Sequence, residues 1–263
     1  MEWSVVVAVH NDEAVLSSTL LRSPDLQKAS KVLCQRGFPS VAAAYNAALR
    51  TCKEELLVFI HPDVYLPSGW YQAFRKSLEW LDHNNSRWGV LGLYGVGREG
   101  GHRGFLFSTG LGRFVGAAFS APCEVRTLDE FAFILRRGSG LACDEGFPDQ
   151  QNHFSATDLC LQGERRNMRS YVLPCFALHN SNHWRYPSLG FWRCYLHMRA
   201  KWRDVLPVVA PCATITACAL PMLKTVVRSV VRWQLRNPRV VTRVSDPQTL
   251  YESLRHRMPP ASG

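Results

Sequence analysis

The chain has no CxxC pair. Its nine cysteines, Cys34, Cys52, Cys123, Cys143, Cys160, Cys175, Cys194, Cys212 and Cys218, are odd in number and scattered. That excludes a zinc ribbon and a thioredoxin-like dithiol, and it favours small core hydrophobes in a reducing cytosol. The opening MEWSVVVAVHND carries no basic leader and no small-residue cleavage site. The expectation is a first strand rather than a signal peptide. No internal repeat, low-complexity tract or nucleic-acid-binding motif occurs, so nucleic acid is not an expected partner. Acidic residues are scarce toward the C-terminus. From Arg193 onward there are 12 Lys and Arg against 3 Asp and Glu, whereas residues 1–192 hold 19 against 18. Most of the net charge of +10 therefore belongs to the C-terminal region, where a charge-seeking partner should bind.

What is present is globular: 263 residues, 46% hydrophobic and 20% charged. That is enough for one large α/β domain with an appendage. The apolar run at 4–9 reads as a buried strand, followed by a helix over 13–21 with Asn11 or Asp12 as its cap. A weak strand at 31–33, a helix over 41–51 capped by Ser40 and a strand at 56–60 complete a βαβαβ opening. This alternation predicts a mainly parallel sheet with helices on both faces. A tryptophan-rich helix is expected over 68–83 and a strand over 89–96. Segment 95–116 holds eight glycines in 22 residues, with Arg98, Arg103 and Arg113 among them. It reads as a long mobile loop of the kind that forms lids; a β-meander with glycine turns is the alternative. Short strands at 123–127 and 131–135, a helix over 157–167 and extended pieces at 171–173 and 176–178 follow.

Four polar clusters sit at the ends of apolar runs. They are His10-Asn11-Asp12, His61-Pro62-Asp63, Asp129-Glu130, and His179 with His183; Asp158 starts a helix just before the last. The sharpest is LLVFIHPDVYL. Five apolar residues end at a proline, which cannot donate to a sheet ladder. A histidine and a carboxylate then stand at the carboxyl end of a central strand, where open α/β sheets bind ligands. A hard cation or a nucleotide's phosphates would be served there. A surface turn capped by aspartate is the bland alternative.

The ordered set of segments SVVVAVHNDE, FPSVAAAYNAAL, LLVFIHPDVYLPSGW, WGVLGLYGV, VRTLDEFAFILRR, CDEGFP, DLCLQ and LHNS resembles the family 2 glycosyltransferases with a GT-A fold. Among them it is most similar to the branch containing the StrF-type domain of streptomycin biosynthesis. HPD matches the FxHxDV form of that family's metal-binding DxD motif. The resemblance spans most of the first 185 residues. It implies a GT-A-like catalytic domain over 1–190, with 191–263 as a basic helical extension. It implies that Asn11 and Asp12 contact the nucleobase and ribose of a nucleotide-diphosphate sugar, with His10 also in the nucleotide site, Asn46 supporting that pocket and His61 lining it. Asp63 would hold Mn²⁺ or Mg²⁺ and His179 would complete the coordination; a histidine shifts the balance toward Mn²⁺. The family often has an acid two residues before the aspartate of its DLC segment, but Ala156 stands there. Asp158, with Asp129 and Glu130 behind it, is then the expected general base.

The tail adds two features. Segment 205–223 has 19 uncharged residues, near the length of a bilayer span. Three prolines and two threonines favour a re-entrant or interfacial segment, or a buried helical hairpin. Beyond it Lys224, Arg228, Arg232 and Arg236 recur every fourth residue among valines. At helical pitch this makes a basic amphipathic helix, either an interfacial membrane helix or a solvated face on a packed one. The expected function is metal-dependent sugar transfer to a glycan or lipid-linked acceptor, in the cytoplasm or at the inner membrane face. A silent nucleotide-sugar-binding protein, and a metal-dependent phosphoesterase or nucleotidyltransferase using Asp63, His179 and His183, are the alternatives.

Overall fold

The computed structural model describes residues 2–148, 153–182, 188–236 and 243–258, with backbone alone at 229, 230 and 232–236. His183 lies outside the described residues. The elements open with β1 (Trp3–Ala8), α1 (Glu13–Ser18), β2 (Lys31–Gln35), α2 (Val41–Thr51), β3 (Leu56–Ile60), β4 (Val64–Tyr65) and α3 (Trp70–Asn84). Next come β5 (Trp88–Gly92), β6 (Tyr94–Val96), β7 (His102–Ser108), β8 (Arg113–Gly116), β9 (Cys123–Val125), β10 (Thr127–Leu128) and β11 (Ala132–Arg136). The chain continues through α4 (Ser155–Arg165), β12 (Arg169–Val172), β13 (Ala177–His179) and α5 (Leu189–Lys201). It ends with β14 (Val208–Val209), β15 (Thr214–Ile215), α6 (Leu220–Arg236) and α7 (Pro247–Arg255).

The main sheet is mixed, in the order β2-β1-β3-β11-β5-β12-β9. β1 pairs in parallel with β2 and β3, and β11 enters antiparallel between β3 and β5. Side chains alternate along each strand, so β1 and β3 feed two cores at once. Val5, Val7, Val58 and Ile60 pack under α1 and α3 with Trp3, Trp70 and Phe74. Val6, Leu57 and Phe59 pack under α2 and α4 with Ala44, Tyr45, Ala156 and Leu159. Burial on both faces explains why β3 reads as an unbroken apolar run. Ser40 caps α2 by accepting from the Ala43 N–H at 3.1 Å. The buried Asp25 carboxylate caps α3, accepting from the Tyr71 N–H at 2.9 Å where the helix dipole favours an anion.

Two expectations are overturned. Segment 95–116 is not a loop. β6, β7 and β8 run through it as an antiparallel meander in a second sheet, ordered β10-β6-β7-β13-β4 with β8 beside β7. Its glycines turn the chain and let backbones close up: Gly116 has φ +78°, and a Cβ there would lie 1.9 Å from the Gly104 carbonyl oxygen. Arg98 and Arg103 pair with Glu164 and Glu99. Segment 205–223 is neither a membrane span nor a helical hairpin. It forms the β14–β15 hairpin, with Val208, Ala210 and Ile215 buried against Phe191, Tyr195 and Trp202. Thr127 and Arg126 hydrogen-bond to the hairpin's Val209, Val205 and Pro207 carbonyls. Prolines and carbonyls satisfied by side chains suit a buried hairpin better than a helix. Among the described residues no helix is long and apolar enough to cross a membrane.

Candidate metal and nucleotide site

β3 ends at Ile60, and the His61 N–H donates to the Phe131 carbonyl at 2.9 Å. The chain turns through Pro62, with the Val64 N–H returning to the His61 carbonyl. β4 then pairs antiparallel with β13, placing Val64 opposite His179. The Asn180 N–H donates to the Asp63 carbonyl at 2.7 Å. This register brings together three residues that the sequence holds 118 positions apart. One ligand atom from each of His61, Asp63 and His179 lies within 4.8 Å of the others. The His179 Nε2 is 3.5 Å from Asp63 Oδ1, and its ring stacks on Phe131. Asp63 is 7% exposed, yet its Oδ1 has no hydrogen-bond partner.

The electrostatics fit a cation. Burial pushes the Asp63 carboxyl up, but the electrostatic pull of His179, 3.5 Å away, with that of His61 and the Arg243 guanidinium, outweighs it and holds it well below the carboxylate range. Burial lowers His61, keeping its imidazole neutral and able to ligate. An ionised oxygen with no hydrogen bond of its own, facing two imidazoles, suits a divalent ion. His61, expected only to line the pocket, stands close enough to belong to the candidate donor set.

Beside the triad opens a cleft of about 660 Å³ lined by Asp129, Phe131 and His179 on one side. Tyr94, Arg113 and Phe114 of the meander and Pro211 of the hairpin line it too. Burial and the neighbouring Glu130 push the Asp129 carboxyl up to about 7. Burial raises Glu130 also, but the hydrogen bond and charge of His153, 3.4 Å away, hold it below its ordinary value. Two adjacent acids with opposed shifts are an arrangement for proton transfer.

The other expected residues are placed as follows. His10, Asn11 and Asp12 leave the carboxyl end of β1. Asp12 accepts from the His10 N–H at 2.8 Å, Asn11 has φ 58°, and His10 lines a crevice with Gln35 and Ser40. Asn46 is buried and fastens the 143–145 loop to α2. It donates to the Cys143 carbonyl and to Glu145, and accepts from the Cys143 N–H. Asp158 is fully buried away from solvent. Its carboxylate accepts from Trp202 Nε1 at 2.7 Å, Gln162 Nε2 at 2.7 Å and Lys201 Nζ at 2.8 Å. Lys201 bridges onward to Asp144, which also meets His197. Ala156 is a core residue under the sheet. Sequence reasoning missed Arg243, whose Nη2 donates to Asp63 Oδ2 at 3.1 Å from 180 residues away. The basic surplus of the tail was the sole hint of it.

No family model matches the chain. A curated relative, the ATP synthase subunits region ORF 6 protein of Fuscovulum blasticum, is 28% identical over 145 residues, covering 52% of this chain and 55% of that protein. Among solved structures, GalNAc-T7 with UDP, GalNAc and Mn²⁺ superposes at a TM-score of 0.53 and 13% identity, over 78% of this chain and 48% of that one. The mannosyltransferase PcManGT of Pyrobaculum calidifontis, in complex with GDP-Man and Mn²⁺, gives 0.45 and 12% identity, over 99% of this chain and 77% of that one. The chain spans about half the length of the ORF 6 protein and of GalNAc-T7. The mixed sheet with helices on both faces, and its superposition on GalNAc-T7, make the fold GT-A-like.

Proposed function

We propose that the chain is a metal-dependent glycosyltransferase that moves a sugar from a nucleotide-diphosphate sugar to a glycan or lipid-linked acceptor. The observation that carries this reading is the buried Asp63 Oδ1, without a hydrogen bond and grouped with His61 and with His179, which lines the cleft. Those three residues would hold Mn²⁺ or Mg²⁺, which neutralises charge developing on the departing diphosphate. His10, Asn11 and Asp12 receive nucleobase and ribose at the end of β1, while Asn46 keeps the 143–145 loop in place. In the cleft Asp129 takes the proton of the acceptor hydroxyl. Its carboxyl is poised near neutrality and lines the open space, whereas Asp158 has its oxygens occupied by Trp202, Gln162 and Lys201. Glu130, ionised beside it, raises its basicity. Among the described residues Asp129 is the one carboxylate lining the cleft, which favours single displacement with inversion. The basic amphipathic α6 supports work at the cytoplasmic face of a membrane.

Calorimetry with UDP and GDP, with and without Mn²⁺, tests the core of this. Metal-dependent binding by the wild type and its loss in Asp63→Ala, with the fold intact, is the expected result. Equal affinity in the variant removes Asp63 from the site. The core position of Ala156 favours a silent binding protein instead; tight nucleotide-sugar binding with no transfer to any acceptor would identify one. Hydrolysis without acceptor would identify the phosphoesterase.

A further inference from the structure

We propose that Arg243 forms a phosphate-binding subsite on the side of Asp63 that the metal triad leaves free. The inference rests on the donor reading above and names a residue for it. The Asp63 carboxylate has two dissimilar oxygens. Oδ1 faces His179 and is unpartnered, while Oδ2 accepts from Arg243 Nη2 at 3.1 Å. A cation on Oδ1 would leave the guanidinium where it is. Two positive centres would then flank one carboxylate, and a nucleoside diphosphate carries two phosphates for them to meet.

Arg243 is held firmly enough to act as a receptor. Its Nε donates to the Asn180 carbonyl at 3.0 Å. The Asn180 side chain reads the next residue as a strand partner would, accepting from the Val244 N–H and donating to the Val244 carbonyl, both at 2.9 Å. Asn180 is 1% exposed and also donates to Thr19 Oγ1. Behind this anchor α7 seats Leu254 against Tyr65, Phe107 and Leu178, and Tyr251 stacks near Phe176. Fixed backbone and two fixed guanidinium nitrogens leave Nη1 without a partner among the described residues, on a side chain 36% exposed. A guanidinium is the side chain whose planar fork matches phosphate oxygens.

The test is calorimetry of the full chain with UDP and GDP, in Mn²⁺ and separately in EDTA, on wild type, Arg243→Gln and Arg243→Lys, with Mn²⁺ alone titrated in parallel. A charge-assisted bond predicts that Arg243→Gln weakens nucleotide binding about 10- to 100-fold under both conditions, without weakening Mn²⁺ binding. Arg243→Lys, which keeps the charge but loses the fork, falls between. Equal nucleotide affinity in all three proteins overturns the subsite, whether or not the melting temperature drops, and makes Arg243 a structural ion pair. Failure of the wild type itself to bind UDP or GDP overturns the donor reading, and this subsite with it. If Arg243→Gln does not fold, Arg243→Lys decides: wild-type affinity in EDTA overturns the subsite and a several-fold loss supports it.

Discussion

Asp129 is half-buried at the cleft and Asp158 is fully buried, and under the proposed function their surroundings suit them to opposite work. Asp129→Asn is expected to cut turnover by roughly 10²- to 10⁴-fold while sparing nucleotide affinity. Because the base must be ionised, wild-type turnover should rise with pH through about 7; a flat rate between pH 6 and 8 would dismiss Asp129. The stability sign follows from the same shift. A carboxyl whose folded value is raised stabilises the fold below its unfolded value of 3.8, and that contribution is lost as pH rises toward 7. Asp129→Asn should therefore be no less stable than wild type at pH 8, measured by urea unfolding. Asp158→Asn should instead cost about 1–3 kcal/mol, since it mismatches buried donors on Lys201 and Trp202. Its turnover should fall no further than its folded fraction; a stable but inactive Asp158→Asn would return the base role to Asp158. The place of Asp63 just past the end of β3 was legible because a proline and two polar residues cut short an apolar run. Arg243 was not, because a lone arginine in a basic tail carries no local pattern. Nor could spacing separate Asp129 from Asp158, since that distinction lies in what packs over each.

At the scale of elements, α2 and β3 were readable to the residue, because a serine cap and a two-face apolar run are local signals. The meander was not. Glycine density marks both a mobile loop and tight turns between strands, and only long-range pairing separates them. β7 has its partners in β6, β8 and β13. Hydrogen exchange should find the amides of β7 protected in the ligand-free protein, and exchange as fast as in open loops would restore the lid. Gly116→Ala should destabilise by about 1–3 kcal/mol, since its positive φ and the Gly104 carbonyl both oppose a Cβ; urea unfolding at unchanged stability would contradict the close approach of β7 and β8. The β14–β15 hairpin was misread for a related reason. Hydropathy reports that a segment avoids water, and is silent on whether lipid or protein covers it.

For the whole molecule, the charge division becomes a surface. α6 packs Met222 and Val226 inward and exposes Leu220, Leu223, Val227 and Val231 along one face. Exposed Lys224 and Arg228 flank it. Each basic residue near an anionic bilayer is worth about 1 kcal/mol, and the apolar face adds burial that salt does not screen. Co-sedimentation with anionic liposomes should weaken but persist as salt rises, and Leu223→Asp with Val227→Asp should reduce it roughly tenfold or more. No co-sedimentation at low salt would make α6 a solvated packing helix. The anchoring of Arg243 by Asn180 has another consequence, in the order of manufacture. The three triad ligands have all been synthesised once His179 is made, whereas the guanidinium that meets Asp63 follows 64 residues later. A nascent chain thus passes through a stage with its cation ligands assembled and Tyr65, Phe107 and Leu178 still waiting for α7. Over that interval chaperones would meet a sheet whose apolar patch beside the candidate metal site is still bare.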